Sequence, residues 1–442
     1  MGLVNSNAKR GTLARGFQLG RLGLSLAGSY LGYQAQNLLL GEGEQRKARF
    51  HEKASRRLRD ELGALKGAAM KLGQLLSMQS ESLPEAAIRE LAALQMKAPG
   101  MHASLARAQF KASLGKYPDE VFREFDAEPF AAASLGQVHR ATTRSGECVV
   151  VKIQYPAIRS AIENDFTLLR SATLPGRLTG YIPAGLIEEF QTGFLEETDY
   201  VREADNIEFF RERLRHLAYL TIPRVCRELS TDRVLTMSYV EGEILSDFLK
   251  RKPPAAVRDL IGTRLMEMCD TQFHWLKAVH ADHHPGNYLF RPDGRIGLVD
   301  FGCVKRFGCV KRFSFQISEL MDGYFERRWR QSDAAARRFL AILFGPKVPY
   351  NRARKVLPIL EQLCDILYPT DTSDALVDCR DPKLRELSRR CAGQVLREKL
   401  IDPESALLGR AQMGLDHILY ELGARVKPKQ IWESVLAQPH IS

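Results

Sequence analysis

The sequence predicts an α+β chain of two lobes, a strand-rich smaller one followed by a helical larger one. Three observations carry that reading. Val138 to Thr142 and Cys148 to Gln154 are strand-like runs joined by Arg144-Ser145-Gly146, the punctuation of a β-hairpin. Arg233 to Val240 is a further apolar run, and it ends at Gly242. From Ala255 to Val279, and again over 314–442, the chain reads as helix, interrupted by a loop rich in Pro and Asp near 368–374. The expected divisions are a basic N-terminal segment over 1–54, a helical extension over 55–118, the small lobe over 119–241 and the large lobe over 242–442.

The 442 residues are 45% hydrophobic and 26% charged, enough for a large core. A net charge of +11 points to an anionic partner. Basic blocks with interleaved aromatics are missing, so nucleic acid is not expected. The cysteines are scattered with no Cys-x-x-Cys, which argues for reduced thiols and against a zinc ribbon. His274, His280, His283 and His284 show no spacing that supports a transition-metal site.

The chain in order begins with residues 1–41, which carry Lys9, Arg10, Arg15 and Arg21 and no acid. The uncharged stretch from Leu22 to Leu40 is polar for a membrane span, and a helix lying on a membrane surface or against a partner is expected instead. Leu58, Leu62, Leu65, Ala69, Leu72 and Leu76 then draw an apolar face along a helix. Lys71 and Gln74 are neighbours on its surface. Ser82-Leu83-Pro84-Glu85 opens another helix, broken at Ala98-Pro99-Gly100. Pro129 to Val138 reads as a loop of small residues. Pro156 opens a helix from Ala157 to about Thr173, and one helix is expected over 183–211.

Chemistry concentrates in two stretches. Gly297-Leu298-Val299-Asp300-Phe301-Gly302 reads as a strand delivering a carboxylate to a turn. Upstream, Asp282 is followed five residues later by Asn287. Asp-x-x-x-x-Asn followed by Asp-Phe-Gly is the layout of a protein-kinase catalytic loop and metal-binding turn. Asp300 and Asn287 offer the oxygen ligands that Mg²⁺ requires, and Asp282 is left to orient or deprotonate an attacking hydroxyl or water. Small residues over Ala131, Ala132, Ala133, Ser134 and Gly136 let backbone approach a triphosphate. Lys152, fixed inside an apolar strand, reaches phosphate oxygens. Glu197 and Glu203 are the carboxylates available to hold that lysine. Met237 and Val240 stand where a hinge would read adenine. Directly after Asp300, Phe301-Gly302-Cys303-Val304-Lys305-Arg306 is repeated as Phe307-Gly308-Cys309-Val310-Lys311-Arg312. The second copy is preceded by Arg306 and not by an acid, so of the two copies only the first, through Asp300, can supply a metal-binding carboxylate.

These motifs, in this order, resemble the UbiB/AarF family of atypical kinases, the ubiquinone-biosynthesis kinase-like proteins, over roughly residues 55–310. Lys71-Leu72-Gly73-Gln74 looks like the family's Lys-x-Gly-Gln motif. Ala131 to Gln137 looks like its alanine-rich loop, and Lys152 like its strand lysine. Glu197-Thr198-Asp199 is similar to its Glu-x-Asp motif. The resemblance implies an atypical protein-kinase-like two-lobed fold with the N-terminal helical extension across the cleft. It implies Glu197 as ion-pair partner of Lys152, Glu203 near the Lys-x-Gly-Gln helix, and Lys71 and Gln74 as restrictors of what enters. It also implies ATP and Mg²⁺ as cofactors, and ATP hydrolysis or small-molecule phosphorylation supporting isoprenoid quinone synthesis. The implied partners are a quinone-like lipid, an anionic membrane and quinone-biosynthesis proteins. The implied location is cytoplasmic and peripheral to a membrane, mitochondrial in a eukaryote. The rival expectation is a nucleotide-binding scaffold without turnover. Two departures stand out: His283 replaces the proline common in the family's Ala-Asp-Pro-His-Pro-Gly-Asn, which is expected to loosen the loop after Asp282, and the tandem repeat.

Overall fold

The computed structural model describes residues 101–133, 135–164, 166–167, 186–306, 311–368, 375–400 and 403–438. The N-terminal segment, most of the helical extension with Lys71 and Gln74, Ser134, residues 307–310 of the repeat and the loop at 369–374 lie outside them. The chain forms two compact units. Among the described residues one holds 101–112, 127–139 and 152–198, and the other holds 113–126, 140–151 and everything from Asp199 on.

The first unit opens with most of helix α1 (Ala103–Leu114). The Pro129–Val138 stretch expected as a loop is instead a tight hairpin. Strand β2 (Ala131–Ala133) pairs antiparallel with the start of β3 (Gly136–Thr143), setting Ala131 opposite Val138 and Ala133 opposite Gly136. Small side chains let this edge fold back on itself, and Tyr155 N–H donates to Leu135 O at 2.9 Å to close it against the end of β4 (Cys148–Gln154). After Pro156 the helix begins at residue 158, not at Ala157. Ala157 is left-handed (φ 58°), and its carbonyl accepts the first helical bond from Ala161. Residues 158–164 are helical and pack Ile158 and Ile162 with Leu135, Phe166 and Phe194 into a small core.

The single helix expected over 183–211 is two, α2 (Leu186–Glu196) and α3 (Tyr200–Arg213). Local side-chain chemistry makes the break. Thr198 Oγ1 donates back to Leu195 O at 2.6 Å, ending the first helix. Asp199 accepts from the Val201 and Arg202 N–H groups at 3.0 and 3.2 Å, starting the second as its N-cap.

In the second unit, β1 (Phe122–Phe125) and β6 (Val234–Ser238) flank the β3–β4 hairpin in the order β1-β3-β4-β6. The hairpin turn falls at Arg144-Ser145-Gly146, as its composition predicts, with Gly146 at φ 90°. Helices α4 (Leu245–Lys250) and α5 (Ala255–Thr271) follow. The helix expected to reach Val279 stops early. Residues 272–276 form a widened turn, Lys277 is left-handed (φ 49°), and Ala278–His280 is strand β7. The switch is fixed by Gln272, whose side-chain carbonyl accepts the His280 N–H at 2.8 Å.

Strands β8 (Tyr288–Phe290) and β9 (Ile296–Leu298) form a hairpin, and β5 (Leu220–Thr221) joins β9 in parallel. Strand β10 (Val304–Arg306), built from the first copy of the repeat, returns antiparallel to β7. The C-terminal part is helical as expected. Buried Leu320, Trp329, Phe339, Leu340, Val356 and Leu360 share its core. A short pair, Val377–Asp378 with Arg425–Val426, interrupts it. Among the described residues no helix is long and apolar enough to cross a membrane.

Candidate active site

The β8–β9 hairpin makes distant residues neighbours. Its register sets Tyr288 opposite Leu298, and Val299 N–H donates to Asn287 O at 3.1 Å, so Asn287 and Asp300 leave adjacent strand ends. The β7–β10 pair closes the other side, with Ala281 N–H donating to Cys303 O at 2.9 Å. Asp282 is thereby brought to the same turn cluster. The Asn287 amide nitrogen donates to Asp282 O at 2.9 Å and faces Asp282 Oδ2 at 3.4 Å. With the nitrogen so directed, the amide oxygen is the atom Asn287 offers a cation. Asp300 Oδ1 accepts the Gly302 N–H at 3.1 Å, which sets the carboxylate over its own turn. All three side chains are part-exposed.

Beneath them lies a buried floor. His280, His283, Tyr288 and Phe301 are all fully buried. His280 Nε2 faces Asp300 O at 2.6 Å. A carbonyl only accepts, so this nitrogen carries the proton. His283 Nδ1 is hydrogen-bonded to the Tyr288 hydroxyl, and Nε2 lies 3.9 Å from Cys269 Sγ. Burial raises both the Cys269 thiol and the Tyr288 phenol, so both stay protonated. The loop after Asp282 is therefore not loosened by His283. The side chain that replaces proline is anchored in the core, and its backbone packs on Gly414.

Helix α3 holds the Asp300-Phe301-Gly302 turn from the side. Phe301 N–H reaches Glu203 Oε1 at 3.3 Å, and Asn206 Nδ2 donates to Phe301 O at 3.1 Å. Both backbone groups of Phe301 are thus bound by residues three apart on one helix face. Asn206 was not foreseen as a site residue. Its spacing from Glu203 was the available signal.

In the first unit the nucleotide-loop candidates separate by role. Ala131 and Ala132 are exposed on the β2 edge. Gly136 is required by packing: a Cβ there would lie 2.2 Å from Ile153 O. Gln137 is buried. Met101 N–H donates to its Oε1 at 2.7 Å, so its Nε2 donates to His139 Nε2 at 2.8 Å, leaving the His139 proton on Nδ1. The Gln137 amide is therefore engaged within this unit.

Lys152 and Glu197 are both buried. Gln154, two residues on and on the same face of β4 as Lys152, donates to Thr198 O at 2.8 Å. Arg159 holds Thr198 Oγ1 at 3.2 Å. These bonds tie the residue after Glu197 to the lysine's strand. Gln154 is a second residue that motif reading missed, although its i+2 relation to Lys152 pointed to it.

Met237 and Val240 are buried, and Val240 rests on Gly297, where any Cβ would come within 2.7 Å of its Cγ1. Gly242 (φ 149°) lies against Leu289, with Glu243 and Phe290 exchanging backbone bonds at 2.7 and 3.0 Å. The candidate hinge is thus fastened to the hairpin that carries Asn287 and Asp300.

Comparison with known proteins places the chain among kinase-like relatives. A family model described as the ABC1 atypical kinase-like domain fits residues 93–331. The chain is 33% identical over 265 residues to the chloroplastic protein ACTIVITY OF BC1 COMPLEX KINASE 7 of Arabidopsis thaliana, covering 59% of this chain and 38% of that one. It is 29% identical over 393 residues to the mitochondrial atypical kinase COQ8 of Saccharomyces cerevisiae, covering 86% of this chain and 76% of that one. Among solved structures, the Rv3197–erythromycin complex from Mycobacterium tuberculosis superposes with a TM-score of 0.60 at 27% identity, over 90% of this chain and 100% of that one. The chain spans less than half the length of the first curated relatives it matches.

Proposed function

From the premise that this chain belongs to the ABC1 atypical kinase-like family, related to COQ8 and the AarF-domain kinases, we propose that it is a Mg²⁺-dependent ATPase or small-molecule kinase supporting isoprenoid quinone synthesis at a membrane. The observation that carries this reading is the hairpin that sets Asn287 and Asp300 side by side, with Asn287 bonded to Asp282. The donor set suits Mg²⁺: one carboxylate and one amide oxygen, both hard ligands, part-exposed above a floor that excludes water. When bound, the ion would neutralise phosphate charge. Asp282 orients the attacking water or lipid hydroxyl and accepts its proton.

Lys152 contacts phosphate oxygens, and Glu197 holds it, supported by the Gln154–Thr198 bond. Glu203 positions the metal turn through Phe301. Backbone along Ala131 to Gly136, with Ser134, covers the phosphates, and Met237 and Val240 line the adenine. Lys71 and Gln74 restrict entry, and the segment over 1–54 lies on an anionic membrane. The substrate class is a quinone-like isoprenoid lipid, with quinone-biosynthesis proteins as partners.

The test is Mg²⁺-dependent ATP hydrolysis by the purified full chain, with and without anionic liposomes, beside Lys71→Ala and Asp300→Asn. Hydrolysis raised by liposomes and abolished by Asp300→Asn is expected. ATP bound without turnover in every condition would replace this reading with a nucleotide-switched scaffold, the reading that the repeat beside Asp300 favours. Transfer to generic protein substrates, lost in Asp282→Asn, would replace it with a protein kinase.

A further inference from the structure

Of the stretch from Asp282 to Asn287, only His283 is buried. Asp282 and Asn287 are part-exposed, while the His283 side chain is wholly buried. Three contacts hold this one residue. Its Nδ1 is bonded to the Tyr288 hydroxyl. Its Nε2 lies 3.9 Å from Cys269 Sγ on α5. Its carbonyl and Cβ press on Gly414, where an added Cβ would come within 2.8 and 2.9 Å of them. Both polar partners are themselves buried, Tyr288 completely. A ring bonded at both nitrogens inside a close-packed core has one rotamer and one orientation.

That orientation is transmitted to Asp282. The peptide joining Asp282 to His283 has its carbonyl bound twice, by His284 N–H at 2.7 Å and by Asn287 Nδ2 at 2.9 Å. With its carbonyl bound twice and the His283 ring fixed beyond it, the backbone from which the Asp282 side chain springs is restrained on that side. Tyr288 directly follows Asn287, so the same bond also pins the residue after the second site side chain. The loop is thus secured from beneath by a side-chain clamp that spans Asp282 to Asn287.

We propose that His283, clamped between Tyr288 and Cys269, is a positioning residue for the Asp282 carboxylate in phosphoryl transfer. The proposal rests on the reading of Asp282 given above. A ring buried merely as core filler would affect stability and leave turnover per folded molecule unchanged. A positioning ring acts on kcat.

The experiment measures kcat and KM for Mg²⁺-ATP hydrolysis, the Kd of a fluorescent ATP analogue and the melting temperature. The full-length chain is compared with Tyr288→Phe, His283→Phe, His283→Asn and Asp282→Asn. Tyr288→Phe removes one oxygen and keeps the ring, so it folds even where His283→Phe does not. Expected is a fall in kcat of about tenfold for Tyr288→Phe and His283→Phe, with KM and Kd within about twofold. His283→Asn, whose amide reaches the place of Nδ1, recovers most of the rate. A Tyr288→Phe/His283→Phe double variant is no slower than His283→Phe alone, because Tyr288→Phe removes only the Tyr288–His283 bond that His283→Phe already breaks. Unchanged kcat in both Tyr288→Phe and His283→Phe, with Asp282→Asn inactive, overturns the clamp alone. Full turnover in Asp282→Asn, or none in the unaltered chain, overturns the underlying reading and the clamp with it.

Discussion

Gly136 separates two explanations that motif reading merges. A glycine in a small-residue loop is there either to let backbone approach a phosphate or because the fold has no room for a side chain. Its φ is not left-handed, so conformational freedom is not the reason. In Gly136→Ala the new Cβ would stand 2.2 Å from Ile153 O and 2.9 Å from Ile153 C. An ordinary carbon–oxygen contact is about 3.3 Å, so the β2–β3 corner must withdraw by roughly 1 Å. Overpacking of that size costs about 1–3 kcal/mol. The withdrawal also stretches the 2.9 Å bond from Tyr155 N–H to Leu135 O, adding about 1 kcal/mol. The expected total is about 2–4 kcal/mol, a drop in melting temperature on the order of 2–4 °C for a chain of 442 residues. The assay is thermal unfolding of the nucleotide-free chain followed by circular dichroism, beside ATP binding. A variant that melts with the parent while losing ATP affinity would refute the packing argument and return Gly136 to the phosphate.

Other outcomes follow from the same geometry. Asn206→Ala leaves the Phe301 carbonyl buried without its side-chain donor. It is expected to cost about 1–3 kcal/mol in thermal unfolding and to raise the Mg²⁺ concentration needed for half-maximal hydrolysis. The Asp270 carboxyl is pushed up to about 8 by burial and by Glu267. It is therefore protonated in the folded chain and ionised in the unfolded one between about pH 4 and 8, and stability falls as pH rises through that window. From pH 6 to 8 the loss is about 2 kcal/mol, read as a lower melting temperature that Asp270→Asn flattens. Excising 307–312 leaves Asp300 before Phe301-Gly302 and the Val304–Arg306 strand intact. Hydrolysis at least equal to the parent's is expected, and a loss would show that the second copy is required.

The sequence by itself determined the local items. The β3–β4 hairpin was legible because Arg144-Ser145-Gly146 is turn chemistry between two apolar runs. The family was legible because phosphate and metal chemistry restrict residue type at short, fixed spacing, as in Asp282 with Asn287 and Asp300 before Phe301-Gly302. Tertiary structure decided what depends on partners remote in the chain. Nothing near Thr198 announces that Gln154 will hold its carbonyl, and nothing near Gln272 announces that it will cap a strand at His280. Helix α5 accordingly reads through to Val279, whereas the break at Thr198-Asp199 is local, made by the Thr198 hydroxyl and the Asp199 N-cap. His283 is the clearest case. As a replacement for proline it reads as added freedom, because proline's ring is a local restraint visible in the sequence. The restraint that replaces it comes from Cys269, Tyr288 and Gly414. Cys269 and Gly414 are brought to His283 by helices separate from the loop, so only the fold puts that restraint there.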